Sequence, residues 1–202
     1  MNLGKVMKSI QVPMIDPEDR YIDTDEELSQ AVNAVKGCNL KVVLTMGTFD
    51  MAHIGHGRYQ MKARQAGDVL FLGLDDDEKS KKRKGENRPV VPQNERREMA
   101  AHMRYADFIL IKKHDEPKWD LIRRICPDIL IAVEGTYSPE EVAELEKICG
   151  RVQVLPRQAE TSTSAKVRRL AMGAIDQFIA RLRSRIEAAI QEAFDQVTKE
   201  EG

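Results

Sequence analysis

His53, Gly55 and His56 stand in the order His-Ile-Gly-His, shortly after the turn Gly47-Thr48-Phe49-Asp50. A β-rich apolar run, Val42, Val43 and Leu44, leads into that turn, and a helix is expected to open beyond it. A buried strand feeding a polar turn into a helix N-terminus presents backbone N–H groups and the positive end of the helix dipole. That favours anion binding, phosphate first, with the two imidazoles as additional donors. A zinc site would need a third ligand at suitable spacing, and none stands nearby.

Two further stretches could meet the same anion. Residues 75–92 are almost wholly polar, with Asp75, Asp76 and Asp77 followed by Lys79, Lys81, Lys82, Arg83, Lys84, Gly85, Arg88 and Pro89. A charge run of this kind is ordinarily a solvated loop. Here it directly follows the continuous apolar run Val69–Leu74, and ligands of open α/β sheets bind beyond the carboxyl ends of parallel strands. Arg96 and Arg97 then fall in the first turn of an expected helix over 93–104, against the dipole, which implies an anionic partner. The second stretch, 156–164, ends in Ser162, Thr163 and Ser164. Those hydroxyls can cap the helix they open, or hold a phosphate with its free N–H groups.

The elements that must position these groups alternate regularly. Thr24 with Glu27 is a capping box for a covering helix that ends near Gly37. Strands are expected at 41–46, 69–74, 107–111, 128–133 and 152–155, with helices at 55–66, 93–104, 117–125 and 139–148 between them. This spacing implies right-handed crossovers and an α/β, Rossmann-like, doubly wound parallel sheet of about five strands, with a long C-terminal helical extension. Residues 1–22 read as an N-terminal arm, 23–170 as the main domain, and 171–202 as a helix. Its apolar positions Ile175, Ile179, Leu182, Ile186, Ala189 or Ile190, Ala193 and Val197 form a seam that packs against either the domain or, by preference, a second subunit in a homodimer or higher homo-oligomer.

Composition removes other classes. The 32 Lys+Arg and 33 Asp+Glu nearly cancel, so no global field favours nucleic acid or an anionic membrane, and any anion site must be local. Arg181, Arg183 and Arg185 have acids nearby and read as solvation of the helix rather than a nucleic-acid face. Cys38, Cys126 and Cys149 are odd in number and widely spaced, which argues against a disulfide framework and for a reducing, cytoplasmic setting. No long uncharged apolar run or signal-like N-terminus is present.

Taken together, the Gly-Thr-Phe-Asp turn, His53-Ile-Gly-His56 and the distant Thr-Ser-Thr-Ser resemble the nucleotidyltransferase superfamily of cytidylyltransferases and adenylyltransferases over roughly residues 24–170. Thr45–His56 and Lys84-Gly-Glu-Asn-Arg-Pro-Val are similar to the nucleotidyltransferase domain of ADP-heptose synthases. Arg104-Tyr-Ala-Asp107 and Pro156-Arg157 are similar to glycerol-3-phosphate cytidylyltransferases, and the Ser-Thr-Ser ending is shared with archaeal-type FAD synthetases.

The resemblance implies transfer of a nucleoside monophosphate from a triphosphate, ATP ahead of CTP, to a phosphorylated small molecule, with Mg²⁺ and pyrophosphate release. It assigns His53 and His56 to the α- and β-phosphates and the transition state, with Lys84 and Arg96 as further catalytic cations. Thr48, Phe49, Asp50, Gly55, Lys82, Glu134, Arg157, Ser162, Thr163 and Ser164 fall in its nucleotide-binding positions, and Asp50 orders the loop or helps place the metal. Where relatives read Gly-Gly-Asp-Tyr or Gly-Asp-Asp after the fourth strand, this chain has Val133-Glu134-Gly135-Thr136-Tyr137. That departure motivates a second class of reading, a nucleotide-binding regulatory or assembly protein without turnover.

Overall fold

The computed structural model describes residues 16–159 and 163–200, the side chains of 163, 164, 166 and 191–200 excepted. Six strands form one parallel sheet: β1 (Tyr21–Ile22), β2 (Val42–Gly47), β3 (Val69–Asp75), β4 (Phe108–Lys112), β5 (Ile129–Val133) and β6 (Arg151–Leu155), in the order β1-β4-β3-β2-β5-β6. Expectation and structure agree on the α/β class and the parallel alternation. They differ in strand number, because Tyr21–Ile22, assigned to the arm, pairs with Ile109–Leu110 at the sheet edge. Two residues are too few to show a period. A 3-10 turn at Pro17–Arg20 precedes this strand, and the Arg20 guanidinium donates to the Ala101 and Ala106 carbonyls. Residues 1–15 of the expected arm lie outside the described residues.

The helices are α1 (Asp25–Gly37), α2 (Ile54–Arg64), α3 (Asp77–Lys84), α4 (Gln93–His102), α5 (Asp120–Ile125), α6 (Pro139–Leu145) and α7 (Thr163–Glu200). The Thr24/Glu27 capping box forms as expected, and Ser138 with Glu141 makes a second one on α6. Val42, Leu44, Phe71 and Leu130 on one sheet face join a core with residues of α1, α5 and α6. Val43, Leu70, Leu72 and Ile131 on the other join residues of α2 and α4. Alternating strand residues thus serve both layers, which is why β3 reads as an unbroken apolar run. Tyr59 on α2 hydrogen-bonds Thr45 Oγ1 at 2.7 Å, and burial pushes its phenol up to about 12.

The strand order reverses around β2, with β3 on one side and β5 on the other. The carboxyl end of β2 therefore opens into the crevice where ligands of such sheets bind, and the Thr48–His53 turn begins there. By compactness the chain divides into two units, 1–160 and 161–202, the second comprising α7, which starts at Thr163 rather than 171. No helix among the described residues is long and apolar enough to cross a membrane.

Candidate active site

The turn after β2 is built to aim imidazoles. Phe49 (φ 52°) and Met51 (φ 46°) both take left-handed backbone conformations, which cost energy outside glycine and persist where the surroundings hold them. What holds them is Asp50. Its carboxylate, almost wholly buried, accepts from Arg88 Nη1 at 2.6 Å, Val90 N at 3.1 Å and Val91 N at 3.0 Å. The carboxylate therefore ties the turn to the segment that follows the basic run. It serves the loop-ordering role, and among the described residues no cluster of three His, Cys, Asp or Glu is placed to hold a metal.

His53 is the N-cap of α2, and its Nδ1 accepts from Gly55 N at 3.1 Å. In the neutral ring that acceptor role leaves the proton on Nε2, which is then the atom able to donate to a ligand. His56, one turn into the helix, stacks on His53 with centroids 3.9 Å apart and planes at 24°. Phe49 lies beneath, 5.2 Å from the His56 ring and 6.3 Å from Tyr59, so it buttresses the second imidazole from the core. Gly55 admits no side chain. A Cβ there would come within 2.8 Å of the Ala159 Cβ and of the His53 ring.

The basic run is not a loop. Asp77–Lys84 forms α3, capped by Asp76 accepting from Lys79 N at 2.6 Å and ending at Gly85, whose φ is 99°. The helix has acids in its first turn and four cations in its last, an order that complements the dipole and stabilises it without an apolar face. Lys82 and Lys84 are exposed on it. Desolvation of the ammonium, then the adjacent Arg83 charge, nevertheless holds Lys84 below the ordinary lysine value.

Arg96 corrects the expectation for an arginine opposing a helix dipole. It is 2% exposed, and its guanidinium donates to Val91 O at 2.9 Å, Thr48 O at 2.6 Å, Asp75 O at 2.9 Å and Asp77 Oδ1 at 2.7 Å. Its anionic partner is within the chain, and it acts as a positioning residue that joins the β2 turn, the end of β3 and the start of α3. Thr48, likewise buried, directs Oγ1 to Asp75 Oδ2 at 3.2 Å.

Asp75 is the residue that sequence reasoning missed. Its fully buried side chain pairs with Arg83 at 2.7 Å and Lys112 at 2.9 Å. Burial pushes this carboxyl up, but Lys112 and then Arg83 outweigh it and hold it below the ordinary value of 3.8. The same balance applies to Asp50, where burial is overcome by the Val91 and Val90 N–H groups and by Arg88. Both groups titrate lower folded than unfolded, so their contribution to stability is complete above 3.8 and is lost as the pH falls below it. The urea midpoint is expected to stay level from pH 7 to pH 5 and drop below pH 4. An Asp50→Asn protein, already weaker at neutrality, should show a shallower acid decline, and a parallel decline in both would remove Asp50 from the cause.

Beside Asp75, Met46, Lys79, Arg83, Lys112, Trp119 and Tyr137 line a cavity of about 480 Å³. Burial pushes the Tyr137 hydroxyl up to about 12, and burial followed by the Lys112 charge lowers Lys79. The only advance signal for this wall was the aspartate closing an apolar strand. Glu134 is exposed after β5, with its N–H donating to Leu155 O at 3.1 Å, and Arg157 is exposed after β6. Ser162 lies outside the described residues; Thr163 and Ser164 open α7, their side chains likewise outside them.

Comparison with known proteins agrees with this architecture. The pantoate-beta-alanine ligase of Francisella tularensis superposes with a TM-score of 0.55 at 15% identity, covering 71% of this chain and 68% of that one. A lipopolysaccharide core biosynthesis protein from Thermoplasma volcanium gives 0.50 at 20% identity, covering 60% and 99%. Both establish the fold. The bifunctional protein HldE of Salmonella arizonae, and likewise that of Salmonella paratyphi A, is 37% identical over 150 residues, which are 73% of this chain and 31% of the relative. The matched part is thus about a third of those relatives' length. The model of the family described as cytidylyltransferase-like matches residues 44–187, from the middle of β2 through the His53–His56 turn into α7, and the chain belongs to that family.

Proposed function

We propose that this chain transfers a nucleoside monophosphate, AMP ahead of CMP, from a nucleoside triphosphate to a phosphorylated small molecule such as a sugar phosphate. The observation that carries this reading is the stacked His53–His56 pair at the α2 N-terminus, 3.9 Å apart and backed by the Asp50-clamped turn. In the reaction an acceptor phosphate oxygen attacks the α-phosphorus as the bond to the bridging oxygen of the β-phosphate breaks, and pyrophosphate leaves. Catalysis of this kind is positioning and charge stabilisation. His53 Nε2 and His56 donate to the α- and β-phosphate oxygens, and the α2 dipole adds to them. Lys82 and Lys84 at the cationic end of α3 neutralise the departing phosphates, and Arg96 holds their segment in register with the turn.

Magnesium enters this reading on the triphosphate's own oxygens, the usual way it is bound with phosphate substrates. The Asp50 carboxylate does not fit as its ligand, since Arg88 and two N–H groups already use it. The acceptor occupies the cavity beside Asp75. The Lys112 and Arg83 cations suit its phosphate, and the Trp119 indole offers a flat apolar wall to a sugar ring. ATP is favoured over CTP by the Lys84-Gly-Glu-Asn-Arg-Pro-Val similarity to the ADP-heptose synthase segment.

A panel of the four triphosphates against sugar and polyol phosphates, read by mass spectrometry of the nucleotide product, tests this. The expected result is an AMP-linked sugar with stoichiometric pyrophosphate. Loss of one charge-assisted contact in Lys112→Met should raise KM for the acceptor by about 10- to 100-fold and leave that for the triphosphate unchanged. A CMP-linked polyol would move the assignment to a cytidylyltransferase. Tight nucleotide binding without turnover on any acceptor would move it to the regulatory class that the Glu134-Gly135-Thr136 departure suggests.

A further inference from the structure

The second unit carries a pattern that nucleotidyl transfer does not use. From Val167 to Val197 apolar residues recur at spacings of four, four and three (Val167, Ala171, Ile175, Phe178 and onward), a repeat of eleven. Eleven residues in three turns is about 3.67 per turn, so an apolar line of this period stays on one side of a nearly straight helix. Ile175, Phe178, Leu182 and Ile186 on that line are 55%, 65%, 47% and 51% exposed. The line is about 45 Å long at 1.5 Å per residue.

Its spacing is also symmetric about Leu182. Reversing the helix around that residue brings Phe178 opposite Ile186, Ile175 opposite Ala189, Ala171 opposite Ala193 and Val167 opposite Val197. Every opposed pair is apolar. Charge follows the same reversal. Residues 163–185 contain six Lys and Arg against one Asp, and residues 186–202 five Asp and Glu against one Lys. A parallel pair would lay cationic halves side by side, whereas an antiparallel pair lays each cationic half on an anionic one.

We propose that α7 pairs antiparallel with the α7 of a second copy of this chain, with the two-fold axis at Leu182. A strip about 45 Å long and ~11 Å wide on each helix amounts to roughly 1,000 Å² for the pair, the size at which an interface becomes specific.

The full-length chain is expected to sediment as a dimer at micromolar concentration. Leu182→Glu sets two carboxylates on the axis and should raise the dimer Kd by roughly 100-fold or more, with circular dichroism and nucleotide binding unchanged. Orientation is read by crosslinking in a Cys38→Ser/Cys126→Ser background, because both native thiols are exposed. A mixture of Ile175→Cys and Ala189→Cys chains should crosslink to each other and not to themselves. A monomeric parent, a dimer that survives Leu182→Glu, or crosslinks only between identical positions would each overturn the proposal. A monomer whose melting temperature falls with Leu182→Glu would overturn it too, by placing the line against the chain's own first unit.

Discussion

A His56→Ala protein should turn over about 10³-fold more slowly than the parent, the effect of removing one preorganised donor from a transition-state anion, while unfolding at nearly the same temperature. His56 is stacked and half-buried, and its ring closes no helix end. Truncating it therefore removes a donor with little cost to the scaffold. His53 is different. Its Nδ1 caps α2 through Gly55 N, so His53→Ala should lose about 1 kcal/mol of stability along with comparable activity. His53→Asn restores a capping oxygen without the distal donor, and it separates the two roles: stability should recover and turnover should not. If His53→Asn regained turnover, the ring would matter to the helix rather than to the ligand. Equal loss of thermal stability in His56→Ala and His53→Ala would mean the pair is structural.

How much of this was visible beforehand depends on how local each determinant is. The histidine turn was legible because everything that makes it lies within fifteen residues: an apolar strand, a glycine, an aspartate and two histidines at a helix start. The parallel sheet was legible because burial on both faces leaves Val69–Leu74 without a polar position. Strand β1 was not, since its two residues are placed in the sheet by register with β4, eighty-eight positions away. Helix α3 was not, because Asp77–Lys84 has no apolar face to give a period; its acid-first, base-last order and the Asp76 cap were the available signals. The cavity wall beside Asp75 was least accessible of all. Lys79, Lys112 and Trp119 come from separate parts of the chain, and only the fold brings them to one cavity.

Arg96 shows the same lesson with an energetic consequence. From the sequence it was a cation looking for a substrate, and in the structure it is the largest of the fully buried side chains among the described residues, with four hydrogen bonds made to protein. Arg96→Met keeps most of the volume but leaves the Thr48 and Asp75 carbonyls without this donor and Asp77 without its cation. Breaking a buried charged network from one side costs about 3–5 kcal/mol. For a chain of this length that corresponds to a fall in Tm of roughly 10 °C. Arg96→Lys should recover only part of it, because an ammonium is a single point and cannot span acceptors on the β2 turn, β3 and α3 together. The effect on activity should follow the scaffold: since Thr48 starts the histidine turn and Asp77 starts the cationic helix, kcat falls in both variants while the protein that remains folded still binds triphosphate. A Tm loss below about 3 °C in Arg96→Met, with KM for the triphosphate raised instead, would return Arg96 to the role of a ligand-binding cation and make the observed hydrogen bonds a resting arrangement that the substrate displaces.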